Sequence, residues 1–216
     1  MSKLSDCIIN KKVSSKPIWF MRQAGRYLPE FRKIRSENKD FIKLCLNPDL
    51  VKEITLQPIN RFKLDAAIIF SDILIIPYGL NQKVEFKKGH GPILGEIDIE
   101  KIINCKESDF VERVYPVYKG IKKTKEKLKN TNLIGFAGAP WTLLVYMINR
   151  ESPKKNFDTK SFFKDEKNIL GNSKILSGEG IALTSINPLF DEVKCDAILI
   201  LTWKIETSGR KFDQSL

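Results

Sequence analysis

The sequence predicts an α/β fold in which short buried strands alternate with helices around a parallel sheet or barrel. Three apolar runs support this prediction: residues 17–21 (PIWFM), 66–77 (AAIIFSDILIIP) and 132–137 (NLIGFA). Each run leads into a loop that contains polar residues or glycine, and a helical pattern follows. A short β-branched run without alternation indicates a strand covered on both faces, and strands that alternate with helices are typical of parallel sheets.

The composition is that of an ordinary globular protein. A chain of 216 residues, 42% of them hydrophobic, can bury a core as one domain or two small ones. No apolar run reaches the length of a membrane span, and the first residues, MSKLSDCIINKK, lack the apolar centre of a signal peptide. We therefore expect a cytoplasmic protein with no membrane partner.

Metal and redox chemistry are not indicated by the sequence. The four cysteines lie far apart and form no CxxC pair, which predicts free thiols rather than a zinc site or a redox dithiol. His90 is the only histidine, and we interpret it as a solvated residue of the KKGHGP turn rather than a member of a catalytic triad. With no Walker loop and no GxGxxG after a strand, we expect chemistry without a cofactor.

The formal net charge of +11 raises the question of an anionic partner. Residues 119–129 (KGIKKTKEKLK) hold six lysines and one glutamate, a pattern that we interpret as the solvated face of a helix. Nucleic-acid binders usually interleave arginine and aromatic residues with such charge or contain a recognisable module. Neither is found, so no nucleic-acid partner is predicted.

Arginines are concentrated in the segment that follows the first apolar run, RQAGRYLPEFRKIR. The four are Arg22, Arg26, Arg32 and Arg35. The planar guanidinium group binds carboxylates through two hydrogen bonds, and Gly25 between Arg22 and Arg26 allows the backbone to approach a ligand closely. The segment is therefore a candidate clamp for a polycarboxylate.

Ion pairing at the surface is the alternative for these arginines. Glu30 and Glu37 lie in the same segment and can neutralise them. We expect Arg32 to be paired in this way. For Arg22 and Arg26 we favour ligand contact, because they come directly after a strand and the active sites of α/β barrels lie at the carboxyl ends of strands.

Asp72 is the single carboxylate inside the apolar run 66–77. A charge in such a setting is costly unless a partner compensates for it. On the run alone, two interpretations stay open. Asp72 either caps a following helix or meets a buried basic partner, or else it is a functional group at the lip of the core.

The remaining elements follow from local signals. Asn47 and Pro48 predict a helix start, with a kink at Pro58, and residues 84–86 and 92–94 predict a hairpin. Residues 109–129 predict a helix interrupted at Pro116.

The helix that follows the run 132–137 predicts one further candidate. It places Trp141, Leu144, Val145 and Ile148 on one face and Tyr146 off that face. The Tyr146 hydroxyl is then available to a ligand, although a core or edge tyrosine explains the pattern equally well.

Three blocks of the sequence resemble the uroporphyrinogen decarboxylase family: PIWFMRQAGRYLPEFRKIR, TLQPINRFKLDAAIIFSDIL and GFAGAPWTLLVYM. They come in the family's order and extend over residues 17–168. The resemblance implies a TIM (β/α)₈ barrel and a homodimer without a metal or organic cofactor. It also implies decarboxylation of the four acetate side chains of uroporphyrinogen III to coproporphyrinogen III and CO₂, a step of haem and chlorophyll biosynthesis.

The resemblance also assigns site residues, position by position. Asp72, Arg22, Arg26 and Tyr146 match the family's catalytic pocket, although the proton donor stays unassigned. The residues that match substrate-binding positions are Arg22, Gln23, Ala24, Gly25, Arg26, Arg35, Asp72, Tyr146 and, from a weak match to the strand DAILILTW, Thr202.

The chain departs from the family in length and in its last residues. A (β/α)₈ barrel takes about 250 residues, and residues 169–216 diverge from the family's pattern. We therefore expect a single domain over residues 1–216 that forms an incomplete barrel. The alternative function is an inactive truncated fragment that only binds a tetrapyrrole or a partner barrel chain. A cobalamin-dependent methyltransferase of the same superfamily is disfavoured, because its cysteine and histidine zinc ligands are missing.

Overall fold

The structure is a computed structural model that describes residues 2–11, 16–87, 89–153 and 197–201. The helices of the described part are α1 (Lys3–Ile8), α2 (Pro29–Glu37), α3 (Phe41–Cys45), α4 (Pro48–Phe62), α5 (Ile75–Gly79), α6 (Ile99–Ile103), α7 (Glu107–Lys127) and α8 (Pro140–Asn149). Its strands are β1 (Ala66–Ile68), β2 (Val84–Lys87), β3 (Gly91–Leu94), β4 (Asn132–Gly138) and β5 (Ala197–Leu201).

A parallel three-stranded sheet in the order β1-β4-β5 forms the centre of the described fold. Ala66 pairs with Asn132 at the start of β1, and Ile134 pairs with Ala197 at the start of β5. The chain between β1 and β4 forms the hairpin β2–β3 and the helices α5, α6 and α7. This confirms the predicted parallel sheet, the strand at 132–137 and the hairpin.

The predicted strand at residues 66–77 is correct only in its first part. β1 ends at Ile68, and the last residues of the run form α5, with Pro77 inside the helix. The reason is local, because the Asp72 carboxylate accepts a hydrogen bond from Leu74 N at 2.8 Å and its carbonyl accepts one from Ile75 N at 3.2 Å. These bonds start a turn, which the apolar pattern alone did not reveal.

The predicted strand at residues 17–21 is wrong. The segment has no regular secondary structure, and its side chains Ile18 and Phe20 are 59% and 58% exposed. It meets the start of β1 only where Ile18 O accepts a hydrogen bond from Asp65 N and Ile18 N donates one to an Asp65 carboxylate oxygen, both at 2.9 Å. Further along β1, the side chain of Gln23 forms hydrogen bonds with Ala66 O and Ile68 N, the backbone groups with which a neighbouring strand would pair.

The two faces of the sheet are covered by different helices. On one face Ala67 and Leu133 pack in a core cluster with Val51 of α4 and Ile121 of α7. α4 and α7 approach closely at Gly120, where an added Cβ would lie 3.0 Å from Val51 Cγ1. On the other face Ala66 and Ile134 pack against Leu4 of α1, with Trp19 beside them.

The structure confirms both predicted long helices and the predicted start of α4 at Pro48, and α7 is not interrupted at Pro116 as predicted. The Asn47 side chain caps α4 by accepting hydrogen bonds from the N–H groups of Asp49 and Leu50, both at 3.1 Å. α4 runs through Pro58 and α7 runs through Pro116. A proline removes one hydrogen bond from a helix, and the extensive packing of α4 against α7 stabilises both helices across that point.

The turn from β4 into α8 depends on glycine. A Cβ on Gly138 would lie 2.7 Å from Leu143 Cδ2 and 3.1 Å from Ile73 Cβ, so a larger residue collides with the core. α8 begins at Pro140, and it is the helix that was predicted to follow residues 132–137. Its buried face was predicted only in part: Leu143 and Met147 are buried with Leu144 and Val145, whereas Ile148 is half-buried. No helix of the described residues is both long and apolar enough to cross a bilayer.

Candidate active site

Asp72 lies four residues beyond the end of β1, at the carboxyl end of the sheet. One carboxylate oxygen accepts the hydrogen bond from Leu74 N and forms a turn before α5. The N-cap of α5 is Leu74 and the helix has no side-chain cap, so Asp72 does not have the predicted capping role. Within the described residues, the other oxygen has no hydrogen-bond partner, and no basic side chain forms an ion pair with Asp72. The carboxylate therefore keeps one oxygen available to a ligand.

Apolar surroundings control the protonation of Asp72. The residue is partly exposed, yet the side chains of Ile69, Ile73 and Ile76 line the same cavity. Burial raises the pKa of Asp72 from 3.8 to about 6, against the opposing effect of the hydrogen bond from Leu74 N. At neutral pH the group is still mostly ionised, but it is much closer to titration than an exposed aspartate.

Cys45 lies close enough to Asp72 to feel its charge. Burial raises the pKa of the Cys45 thiol far above its ordinary value, and the negative charge of Asp72 raises it further. Cys45 has no exposed surface. It is therefore a neutral packing residue rather than a nucleophile.

The cavity beside Asp72 is small and mostly apolar. Its volume is about 70 Å³, and its walls come from residues 69–76, from α7 and from Gly135, Phe136 and Ala137 of β4. Such a space admits a few water molecules and not a tetrapyrrole. The cavity therefore explains the raised pKa of Asp72 but is not itself a substrate pocket.

Arg22 and Arg26 lie in the loop of residues 22–28 between the extended segment and α2, and both are exposed. Neither guanidinium group makes a hydrogen bond or ion pair with another residue that the structure describes. Ile18 meets Asp65, and Gln23 meets Ala66 and Ile68, so the segment runs in the direction of β1. The two arginines therefore follow at the carboxyl end of the sheet, the end at which Asp72 lies.

Gln23 attaches this arginine loop to the sheet. It is 3% exposed; its Nε2 donates to Ala66 O at 2.8 Å, and its Oε1 accepts from Ile68 N at 3.1 Å. The Tyr27 hydroxyl donates to the carbonyl of Gln23. The amide predicted to bind substrate thus holds the loop against β1.

Arg32 does not make the ion pair predicted for it. Its Nη1 donates to Arg26 O at 2.8 Å and to Tyr27 O at 3.4 Å, so it supports the backbone of the arginine loop. Glu30 instead forms an ion pair with Arg61 of α4, which donates hydrogen bonds of 3.0 and 2.9 Å to its two carboxylate oxygens. This long-range partner is 31 positions away in the sequence, and no local pattern indicated it.

The loop contains two small residues with different surroundings. Ala24 is partly buried and packs against the cluster that includes Leu28 and Ile54. A Cβ on Gly25 would lie 3.5 Å from Tyr27 Cδ1, an ordinary van der Waals contact, and Gly25 does not have a positive φ. Among the described residues, neither packing nor backbone conformation therefore requires a glycine at position 25.

The remaining candidates make contacts of their own among the described residues. The guanidinium group of Arg35 donates to the carbonyls of Asn38 and Lys39, the latter at 2.8 Å, and lies 5.3 Å from the centroid of the Phe41 ring. Tyr146 is partly buried and packs against the core cluster of α5 and the hairpin. Thr202 lies outside the described residues.

Thr55 is a positioning residue that the sequence analysis missed. It has no exposed surface; its hydroxyl donates to Val51 O at 2.7 Å and accepts from Phe70 N at 2.9 Å, two residues before Asp72. It therefore joins α4 to the end of β1. A hydroxyl on the buried face of a predicted helix was the only available signal.

In the described ranges no three histidine, cysteine, aspartate or glutamate side chains meet in an arrangement that could hold a metal ion. The candidate site in those ranges offers one carboxylate and the guanidinium groups of the loop.

Comparison with known proteins identifies the family. The model of the family described as uroporphyrinogen decarboxylase (URO-D) matches residues 1–170. The chain belongs to the URO-D family. It is 48% identical over 147 residues to the uroporphyrinogen decarboxylase of Agrobacterium fabrum, which covers 68% of this chain and 43% of the relative. With that of Rickettsia felis it shares 47% identity over 167 residues, covering 76% and 48%. The chain thus spans less than half the length of the curated URO-D relatives it matches.

A solved structure supports the fold class. A methyltransferase from Methanosarcina mazei superposes with a TM-score of 0.63 over 93% of this chain and 58% of its own, at 17% sequence identity. At that identity the likeness concerns the fold alone. Together with the URO-D match it confirms the predicted TIM-barrel class, of which the β1-β4-β5 sheet is a part.

Proposed function

We propose that this chain catalyses, without a cofactor, the decarboxylation of the four acetate side chains of uroporphyrinogen III to give coproporphyrinogen III and CO₂. The observation that carries the proposal is Asp72, a carboxylate with one unpaired oxygen in apolar surroundings at the carboxyl end of β1. Membership of the URO-D family supplies the reaction. The reaction is a step of tetrapyrrole biosynthesis.

The chemistry needs a fixed negative charge. Protonation of a pyrrole carbon makes the ring a cation; the bond to the carboxyl carbon then breaks, its electron pair neutralises the ring, and CO₂ leaves. A second proton then adds to the exocyclic methylene carbon to complete the methyl group, and the ring carbon loses the proton that it first gained, which restores the pyrrole. Asp72 accepts hydrogen bonds from the pyrrole N–H groups and stabilises the cation, and its apolar surroundings strengthen that attraction. This role requires the ionised form, which dominates above a pKa of about 6.

The arginine loop supplies the substrate carboxylate contacts in this proposal. The guanidinium groups of Arg22 and Arg26 are exposed and have no partner among the described residues, so they pair with propionate or acetate groups and orient one acetate at a time. Gly25 has no internal need for glycine, which leaves close approach of the loop backbone to the substrate as its purpose.

The remaining family assignments belong to the same proposal. Gln23 and Ala24 contribute the loop backbone, while Arg35, Tyr146 and Thr202 complete the binding pocket. The enzyme works as a homodimer in the cytoplasm. These points rest on the resemblance to the family.

The deciding experiment is anaerobic incubation of the folded chain with freshly reduced uroporphyrinogen, followed by separation of the products by carboxyl number. We expect species with seven, six, five and four carboxyl groups. Asp72→Asn should yield none of them. Asp109→Asn, the same change on the exposed side of α7, should behave as the unaltered chain. No carboxyl loss by folded protein would contradict the proposal.

A second candidate function is binding without turnover, of a tetrapyrrole or of a partner barrel chain. The observation in its favour is the extended segment beside β1, where Ile18, Phe20 and Met21 are all more than half exposed. Titration with uroporphyrin followed by absorbance tests binding. A spectral shift in this titration, together with no carboxyl loss in the uroporphyrinogen incubation, supports binding alone.

A further inference from the structure

The chain just beyond β1 is held by hydrogen bonds on two opposite sides. Successive N–H groups of an extended chain point to opposite sides. Towards β4, Ile69 N donates to Ile134 O at 3.0 Å. On the other side β1 is the edge of the described sheet, and there Phe70 N donates to the hydroxyl of Thr55 in α4 at 2.9 Å. A helix side chain therefore bonds the position at which a neighbouring strand would pair, two residues before Asp72.

The Thr55 hydroxyl is fixed from its own helix. Thr55 has no exposed surface, and its Oγ1 donates to Val51 O at 2.7 Å. That bond uses the hydroxyl hydrogen and leaves the lone pairs of the oxygen for Phe70 N. Because the group is fully buried, water does not compete for it. Thr55 therefore holds the backbone of Phe70 against α4.

Thr124 of α7 shows which of the two bonds is unusual. It has no exposed surface either, and its Oγ1 donates to Gly120 O at 2.7 Å, four residues earlier in its helix. In the part of the chain that the structure describes, the Thr124 hydroxyl accepts no hydrogen bond from another element. A buried threonine is thus satisfied by its own helix, and the bond from Phe70 N is what distinguishes Thr55.

The connection from Phe70 to Asp72 is short. Ser71 alone separates the two residues, and the Asp72 carboxylate is bonded to Leu74 N on the other side of the turn. Ile69 is buried, whereas Ser71 and Asp72 are partly exposed. The turn therefore lies at the boundary between core and solvent, where a small displacement of Phe70 changes how much water reaches the carboxylate.

We propose that the Thr55 hydroxyl, by fixing the backbone of Phe70, is a positioning residue that holds the Asp72 carboxylate in place for decarboxylation. The catalytic part of this role rests on the proposed function, whereas the effect on the surroundings of Asp72 does not. Thr55 makes no contact with the arginine loop that the structure describes, so its loss should act on kcat and not on KM.

Two titratable groups lie around Asp72 on the elements packed against it. They are the Cys45 thiol of α3, which feels the charge of Asp72, and the Tyr118 phenol of α7, which lines the same cavity. Both side chains are buried, and neither is charged between about pH 4 and 8. The pKa of Asp72 is therefore governed by burial and by the hydrogen bond from Leu74 N.

Steady-state kinetics and a carbon-13 NMR titration of the Asp72 carboxyl group in the full chain test the proposal. Thr55→Val removes the acceptor of Phe70 N at nearly the same side-chain shape. We expect kcat to fall at least about tenfold with little change in KM, because the carboxylate is misplaced. The pKa of Asp72 should fall from about 6 towards 3.8 as water reaches the group.

Two matched variants accompany this change. Thr55→Ser keeps the hydroxyl and should restore both kcat and the pKa of Asp72. Thr124→Val makes the same substitution at a buried threonine bonded to its own helix, and it should alter neither value. If Thr55→Val does not fold, Thr55→Cys replaces it, because sulfur is a weak acceptor and should change both values in the same directions by less.

The two measurements keep this proposal separate from the proposed function. If the unaltered chain releases no CO₂, the decarboxylase function fails, and the pKa comparison still decides whether Thr55 positions Asp72. The positioning role is overturned if the Thr55 variant keeps the Asp72 pKa of the unaltered chain, if Thr124→Val shifts it equally, or if Thr55→Ser does not restore it. An unchanged kcat in an active chain overturns the catalytic part.

Discussion

The arginine loop and the Asp72 turn lie at the same end of the sheet but hold their charges in opposite ways. Arg22 and Arg26 extend into solvent, and the order of their loop comes from neutral contacts of Gln23, Tyr27 and the backbone. Asp72 lies among apolar side chains that raise its pKa to about 6. A solvated cation can move to meet a carboxylate, whereas a desolvated carboxylate is fixed in advance and acts at full strength.

The largest expected effect is the loss of turnover when the charge of Asp72 is removed. Asp72→Asn should lower decarboxylation at least about 1,000-fold, because the charge that stabilises the cationic ring is lost. The fold should persist, since the asparagine oxygen can still accept the hydrogen bond from Leu74 N. Product analysis and a melting curve check the two parts. An unchanged rate would remove Asp72 from the mechanism.

Gln23→Ala should detach the arginine loop from β1, because it removes the side chain that bonds the loop to that strand. It leaves Ala66 O and Ile68 N without their partners at a buried position, so the free energy of unfolding should fall by about 2–3 kcal/mol. Denaturant unfolding measures this. Asn10→Ala, on the partly exposed end of the chain before the extended segment, is the control and should cost less. Equal losses would mean that Gln23 does not anchor the loop.

The pH dependence of stability tests whether apolar surroundings raise the pKa of Asp72 in the folded protein. The folded pKa of about 6 lies above the ordinary 3.8, so the folded state holds this proton more tightly than the unfolded state. The unaltered chain should therefore lose about 1–3 kcal/mol relative to Asp72→Asn as the pH rises from about 4 to 6. Melting temperatures of both proteins at pH 4.5 and 7.5 test this. A constant difference would mean that Asp72 is ordinarily solvated.

Arg26→Lys should weaken the binding of a substrate carboxylate by the arginine loop. A point charge replaces a planar fork, so the KM for uroporphyrinogen should rise about five- to tenfold with little change in stability. Arg113→Lys, on α7 outside the loop, is a control for the same chemical change and should leave KM alone. An unchanged KM in Arg26→Lys would mean that Arg26 does not contact substrate.

The smallest expected effect on stability comes from Gly25→Ala. The added methyl group meets Tyr27 at an ordinary distance, so the free energy of unfolding should change by less than about 0.5 kcal/mol. If the loop backbone approaches the substrate, KM should nevertheless rise. A large loss of stability would show instead that the glycine serves the fold.

The sequence by itself determined the elements whose signals are local. The helix start at Asn47 and Pro48, the hairpin around the Gly-His-Gly turn and the helix that follows residues 132–137 depend on neighbouring residues, and all were predicted correctly. The three family blocks likewise indicated the fold class, because each block is one continuous stretch of the sequence. Asp72 was recognisable as a charge out of place in an apolar run.

Only the tertiary structure decided which partners these residues have. Residues 17–21 read as a strand, but the side chain of Gln23 occupies the edge of β1. Arg32 reads as an ion-pair partner of Glu30, but Arg61 reaches that glutamate from another helix. Pro116 was predicted to interrupt its helix, but α7 continues through it, and packing against α4 stabilises the helix there. In each case a contact between distant parts of the chain outweighed a local preference worth only one or two hydrogen bonds.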